Sequence, residues 1–465
     1  MTTQTEPSRT GAIPSQPQLT RGRLVAIIGS LAFAAFVMIL NETVLTVALP
    51  ALMHEFNITA ATGGWLTTAF MLTMAVVIPT TGYLLSRFSP RNIFLVAIGF
   101  FLVGSLLAAL APNFAVMLLA RVVQACGTAI IMPLMMTTSL RLVPAHQRGT
   151  IMGLNSVVIS VGPAIGPTVA GLIVSASGWR TIFWCMIPLV VIAGLVGAFV
   201  LERTAQGARG RLDAASILLS IVGFGGFVYG ISNLAAIATG DLVPVIVLVV
   251  GIVGLALFIH RQQRLAHGAG APLLNLAPFK VRDFRLSVLV VAIAFGTMLG
   301  STVILPVELQ DARGLEAFEA GLLLLPGGLI QAIISPLAGR LYDKRGPLAC
   351  TIPGVLLLAV GQWLLVATVE SAPVVWTAVA FTIFGTGMSF TMAAMMTHSL
   401  STLPGELYSH GSAIINTVQQ LAGALGTTIF LAMFALGASA SFVVGGVLTT
   451  LALGIIVFIR RPAAA

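Results

Sequence analysis

Charge is what this chain lacks. Only 8% of its 465 residues are Asp, Glu, Lys or Arg, where a water-soluble domain carries about 25%. Lysine is almost gone: Lys280 and Lys344 are the only two. Neither lies in G-x-x-x-x-G-K-[ST], the loop that cradles ATP phosphates, so an ATP-driven machine is not expected. The three cysteines, Cys126, Cys185 and Cys350, have no paired spacing and read as small core residues. Six histidines, at 54, 146, 260, 267, 398 and 410, form no ligand pattern, so neither a metal nor another cofactor is expected. No nucleophile–base pair or sizeable soluble segment supports an enzyme.

Apolar sequence fills the space that charge leaves. Hydrophobic residues make up 58% of the chain, and mean hydropathy is +1.05. Apolar runs of about 20 residues recur from Leu24 onward, each long enough for a bilayer core. They are solid rather than alternating, which selects helices over a β-barrel. The fold expected is an all-α membrane protein of fourteen spans. These are 24–50, 64–85, 92–110, 114–140, 149–175 and 180–201, then 213–236 and 242–259, then 286–309, 318–341, 347–368, 373–400, 411–434 and 437–459. Residues 1–23 are expected to form a polar, disordered tail and 460–465 a short one; the apolar run after the first tail is longer than a signal-peptide core and shows no small-residue cleavage site, so it reads as the first span.

Basic residues orient the spans. With both termini cytoplasmic, 20 of the 23 Lys and Arg fall on cytoplasmic segments, only Arg180 and Arg313 fall outside, and Arg121 lies within a span. The net charge of +9 is thus a topology signal, and no nucleic-acid partner is expected. One cytoplasmic loop, "STLPGELYSH" at 401–410, carries no Lys or Arg.

The chain also repeats itself. "GRLYDKRG" (339–346) has a worn copy in "GYLLSRFS" (82–89), an offset of 257 between Gly82 and Gly339. Pro144 and Pro404 are 260 apart, and Asn155 and Asn416 are 261 apart. Residues 24–201 and 286–459 therefore read as related six-helix halves, with 202–285 holding linkers and two inserted spans. Parallel halves rocking about a midplane site are a secondary-transporter architecture.

Several motifs deepen that reading. "GRLYDKRG" resembles the G-x-L-x-D-[RK]-x-G loop of the major facilitator superfamily, and "RVVQACGTAIIMP" (121–133) resembles its R-x-x-Q-G helix-four motif, with Ala125 at the usual glycine. "GPAIGPTVAG" (162–171) is similar to the helix-five signature of its antiporters. "LNETVLTVALP" (40–50) and "LPVELQDARGLEAFEAGLLLLPGG" (305–328) look like the 14-helix drug:proton antiporters, within which the "ILNE" opening (39–42) and the "SPLAGRLYDKRG" loop (335–346) look most like the lincomycin-resistance branch. Two departures stand out: Ser86 and Ser89 replace the usual Asp and Gly of the first loop motif, and Asn41 replaces the usual helix-one Asp, with Glu42 beside it. A shift of one residue turns a side chain by about 100°.

The candidate residues come from these motifs. Glu42 interrupts an apolar span, where an ionised carboxylate costs about 2.5–3.5 kcal/mol on insertion scales. It is read as the proton carrier, with a structural carboxylate as the alternative. Arg121, level with Glu42, either tunes that proton or forms a static pair with it. Asn41, Gln124, Asn155 and Gln310 are candidates to line a substrate cavity. Gly82, Arg87, Arg91, Gly339, Asp343, Lys344, Arg345 and Gly346 are assigned to the gating loops, and Asp343 is expected to dock on the N-terminus of span five near Gly149. Gly162, Pro163, Gly166 and Pro167 offer close, bent packing for a moving seam or for ordinary helix contact. Glu308, Asp311, Glu316 and Glu319 read as a solvated acidic mouth.

The resemblance implies proton-coupled efflux of lipophilic drugs or antibiotics by alternating access, from a monomer in a bacterial cytoplasmic membrane. The expected partners are a lipophilic small molecule, protons and the bilayer. Export of an endogenous metabolite or lipid-like compound is the alternative, and a membrane enzyme or sensor a more distant one.

Overall fold

The computed structural model describes residues 20–201, 213–234, 240–268 and 270–459. Residues 1–19 of the N-terminal tail, the 202–212 linker and the short tail 460–465 lie outside the described residues. The fold is all-helical. In chain order the long helices are α1 (Arg21–Phe56), α2 (Ala60–Arg87), α3 (Pro90–Ala109), α4 (Phe114–Leu142), α5 (Arg148–Ser177) and α6 (Arg180–Val200). The inserted pair is α7 (Ala214–Ser232) and α8 (Val243–His267). Then come α9 (Arg282–Ala312), α10 (Ala317–Arg345), α11 (Pro347–Thr368), α12 (Val374–Ser401), α13 (Tyr408–Phe434) and α14 (Ala438–Ile456). Among the described residues, 13 helices are long and apolar enough to cross a membrane. The fifth expected span falls on α5, a helix of 30 residues.

Polar punctuation starts these helices. Thr59, Ser89, Asn113 and Asp213 each accept a backbone N–H three residues on, and Pro90 follows Ser89 at the first helical position. Glu316 and Glu319 form a reciprocal capping box on α10. Gly346 ends that helix at φ +80, a conformation that favours glycine, and Pro347 opens the next. Short π-helical turns interrupt α7 at Ile221–Gly225 and finish α9 at Glu308–Ala312.

Bundle surfaces are oily and bundle interiors are partly polar, the reverse of a soluble fold. Phe199 is 84% exposed and Leu436 76%, while Arg121 and Gln124 are fully buried. One hydrophobic core runs from Ile27 to Leu201. A second is drawn mostly from Leu273 to Ile459, and Tyr83, Met136, Leu140 and Met152 cross into it. The inserted pair packs as a hairpin through Gly223, Gly226, Gly251 and Gly254, where a Cβ would strike the partner backbone.

Several expected boundaries shift. α1 continues through Pro50 to Phe56, and α8 runs on to His267, well past 259. α13 begins at Tyr408, so the end of the 401–410 loop is already helical.

Candidate functional site

The buried polar centre of the first bundle is built on α1, α3 and α4. Arg121 is fully buried on α4. Its Nη1 donates to Gln124 Oε1 at 3.0 Å, its Nε lies 3.5 Å from Leu66 O, and its guanidinium stacks over Phe70 at 4.1 Å. Gln124 also accepts from Asn41 Nδ2 at 3.2 Å and donates to Ser105 Oγ at 3.1 Å. Arg121 Nη2 and Asn41 Oδ1 are sealed in without a partner among the described residues.

Glu42 is not paired with Arg121, contrary to one expectation. The ion pairs among the described residues are Arg180–Glu55 and Arg261–Asp213, and Glu42 makes no hydrogen bond there either. The reason is helical register: Asn41 takes the face toward α4, and the next residue is turned about 100° from it. Glu42 is half-buried, one residue on from Asn41, whose Gln124 partner accepts from Arg121. It is therefore a carboxylate with a cation nearby and no fixed partner.

The helix-five glycines pack on α1 at Ile39 and Thr43, the residues on either side of Glu42 along that helix. A Cβ on Gly162 would sit 2.7 Å from Ile39 Cγ2, and one on Gly166 would overlap Thr43 Oγ1. The tight contact is thus with α1 of the same bundle. α5 is helical through Pro163 and Pro167, whose side chains lie outside the described residues.

The contact between bundles uses the opposite end of α5, at the end of the molecule where the basic residues gather. Asp343 accepts from Gly149 N–H at 2.7 Å, Thr150 N–H at 2.7 Å and Thr150 Oγ1–H at 2.6 Å. An anion thereby caps a helix start that has no cap of its own. The expected docking is present. Gly339 lies against the Gly149 carbonyl, and Gly153 lies against Ser335 and Pro336. Lys344 and Arg345 are exposed in the last turn of α10, where cations suit the helix dipole.

Other bridges at this end join the same two bundles. Arg141 donates to Ser409 Oγ at 2.9 Å, Arg148 to Tyr408 OH at 3.1 Å, and Thr137 Oγ1 and Ser412 Oγ share a hydrogen bond of 2.6 Å. The 401–410 segment, bare of basic residues, receives its cations from the other bundle. At the far end each cluster stays in its own bundle: Glu55 with Trp179 and Arg180, and Arg313 with the carbonyls of Thr368, Val369 and Ala372. In this conformation the basic end is closed.

The first loop motif behaves differently. Ser86 Oγ turns back to Tyr83 O at 2.8 Å, and Arg87 donates to Tyr83 OH at 2.7 Å. Ser89 serves as the cap of α3, with half-buried Arg91 in that helix's first turn. Gly82 packs on His410.

A cleft opens between α5, α9, α10 and α12. Met298, Met388, Met392 and Met396 line it, together with neutral polar groups including Gln331 and Ser335. Ser335 Oγ is buried without a partner among the described residues. None of the four cavity candidates lines this cleft. Asn41 and Gln124 serve the Arg121 network, Asn155 Nδ2 donates to Ser139 Oγ at 3.0 Å, and Gln310 Nε2 donates to Pro306 O in its own helix at 3.1 Å. Glu308 departs from the solvated mouth as well: it is 7% exposed, while Asp311, Glu316 and Glu319 are exposed. The cleft's sequence signal was the Met388–Met392–Met396 stripe at helical spacing, which reads equally as packing.

Comparison with known proteins bears on the family and the fold. The sequence pattern of the Major Facilitator Superfamily matches residues 31–427. The chain is 40% identical to "Lincomycin resistance protein LmrB" of Bacillus subtilis (strain 168) over 417 residues, 89% of this chain and 86% of that one. It is 30% identical to "Multidrug resistance protein B homolog" of Mycobacterium tuberculosis (strain ATCC 25618 / H37Rv), over 84% of this chain and 72% of that one. Its fold is similar to that of the human organic anion transporter MFSD10, with a TM-score of 0.71 at 15% identity, covering 93% of this chain and 99% of that one. It is likewise similar to the proton:xylose symporter XylE, with a TM-score of 0.69 at 17% identity, covering 95% and 97%. The superfamily is one of membrane transporters rather than enzymes, and this chain belongs to it.

Proposed function

We propose that this chain exports lipophilic drugs or antibiotics from a bacterial cell in exchange for protons. It does so as a monomer of fourteen spans, α5 adding to the thirteen helices long and apolar enough to cross. The basic end is cytoplasmic, both termini lie there, and the halves 24–201 and 286–459 rock about the cleft while 202–285 rides between them. The observation that carries the reading is Glu42: an acid on a span, half-buried, without a fixed partner, and next in sequence to Asn41 of the buried Arg121 network.

The cycle is built on that geometry. With Asp343 docked on α5 the cytoplasmic end is shut, and a drug leaves the methionine-lined cleft toward the outside. Thioether walls adapt to many shapes. A proton from outside neutralises Glu42, and the seam at Asp343 parts. On the cytoplasmic side the arriving drug and the departing proton exchange. The neutral acid crosses the apolar layer more cheaply than the anion does.

The test is drug uptake by inverted vesicles under an imposed pH gradient. Glu42→Gln abolishes gradient-driven uptake while equilibrium binding of the drug persists. Full gradient-driven uptake by that variant removes the proton assignment.

A further inference from the structure

The two halves cross twice at the basic end, and the crossings correspond. Gly339 and Gly82 are 257 apart, as are Asp343 and Ser86; Gly149 and His410 are 261 apart, the offset of Asn155 and Asn416. Gly339 lies on Gly149, and Gly82 lies on His410, whose Nδ1 would be 2.6 Å from a Cβ placed there. At the first crossing Asp343 caps α5. At the second the corresponding Ser86 hydroxyl is spent on its own helix, and no side chain among the described residues caps the start of α13.

A third stretch of chain passes through that crossing. The segment between α8 and α9 runs past both helices, with Leu273 O 3.4 Å from the Gly82 Cβ position. Asn275 N–H donates to His410 Nδ1 at 3.1 Å. A backbone amide can only donate, so Nδ1 is the unprotonated nitrogen of the ring. On the other side Leu274 N–H donates to Gln262 Oε1 at 3.2 Å, and Gln262 Nε2 donates to Ser216 Oγ at 2.7 Å. Leu273 and Leu274 are 1% and 4% exposed. The segment is anchored at once to the inserted pair and to α13.

We propose that residues 273–275 and His410 are the second latch of the closed basic end, so that the inserted helix pair takes the place of the carboxylate missing at position 86. His410 and Asn275 are positioning residues: they set how readily α2 and α13 part. The first latch holds an ionised group with three bonds, whereas the Asn275–His410 contact is one neutral bond, and neutral bonds are about half as strong as charge-assisted ones. The second latch is thus the weaker of the two, with Arg141–Ser409 and Thr137–Ser412 beside it holding α13 to α4. The proposal rests on the transport reading for its role in a cycle, but the latch itself is a statement about conformation.

The experiment measures the seam directly. Spin labels are placed through Phe88→Cys and Glu406→Cys, both exposed sites, with the exposed Cys185 replaced by serine. Distances across the seam are read by pulsed electron resonance in nanodiscs, without drug or gradient. His410→Phe keeps a ring but no acceptor and raises the open population about two- to tenfold, the bias of one neutral hydrogen bond. His410→Asn, which restores an acceptor oxygen, returns it toward wild type. Asn275→Pro removes the donor and, as an independent variant, opens the seam as His410→Phe does, whereas Asn275→Ala keeps the donor and leaves it closed. Unchanged distances in folded His410→Phe and Asn275→Pro, or equal opening by His410→Asn, overturn the latch. Because the readout needs no transport, loss of the proton-exchange reading leaves this result standing.

Discussion

Asp343→Asn strikes the strongest contact between the bundles. The carboxylate accepts three bonds of 2.6–2.7 Å, two of them from the backbone at the start of α5. Asparagine keeps one acceptor oxygen and turns an amide N–H toward Thr150, whose own N–H then faces a donor. Bonds to an ionised group contribute about 1.5–3 kcal/mol each. With the site half-buried, loss of the charge and of the Thr150 bonds shifts the closed basic end by about 2–4 kcal/mol. That is about 30- to 1000-fold in population. Labels through His146→Cys and Lys344→Cys, both exposed and flanking the seam, report the opening, and transport turnover falls with it. Ser86→Ala removes only a bond within its own helix and changes neither reading. Equal losses from Asp343→Asn and Ser86→Ala refute the asymmetric gate.

Three further outcomes are expected. Gly149→Ala and Gly339→Ala wedge the same seam, because each new Cβ meets the backbone across it, whereas Gly171→Ala meets open space and is silent in transport. Overpacking of this kind costs about 1–3 kcal/mol, and a wild-type rate from Gly339→Ala counts against the crossing. Asp213 caps α7 and pairs with Arg261, whose hydrogen bond, against the cost of burial, holds its carboxyl well below the usual range. A depressed acid stabilises the fold above its unfolded value of about 3.9 and loses that stabilisation as pH falls through the folded one. The difference in melting temperature between wild type and Asp213→Asn is therefore flat from pH 7 to 5 and shrinks only below about pH 4; shrinkage above pH 5 contradicts the pairing. Gln331→Leu leaves the methionine walls of the cleft and removes a polar group from them, so it changes the drug profile more than it changes proton-driven turnover; an unaltered profile across a panel of substrates places binding elsewhere.

The fold was legible because the apolar runs are unbroken and turn residues separate them. Asp343 on α5 was legible because two-fold symmetry says where an acid at the end of α10 must fall. Symmetry also exposed what was missing at Ser86, though not what replaced it: Asn275 and His410 are 135 residues apart, and a backbone donor has no side-chain signature. Glu42 and Arg121 are expected level from their places along the spans, but depth along a helix does not fix azimuth, and Asn41 faces the Gln124–Arg121 network. Gln310 reads as a cavity group, yet its amide bonds the Pro306 carbonyl of its own helix. Met388, Met392 and Met396 line the cleft, yet their spacing is that of any buried helix face.

The most direct measurement concerns the proton on Glu42. Infrared difference spectra recorded as drug is added to the protein in lipid at constant pH should show a protonated-carboxyl band disappearing in wild type and absent in Glu42→Gln. The same band change in both proteins, or none in wild type while drug binds, contradicts exchange of drug and proton at this residue.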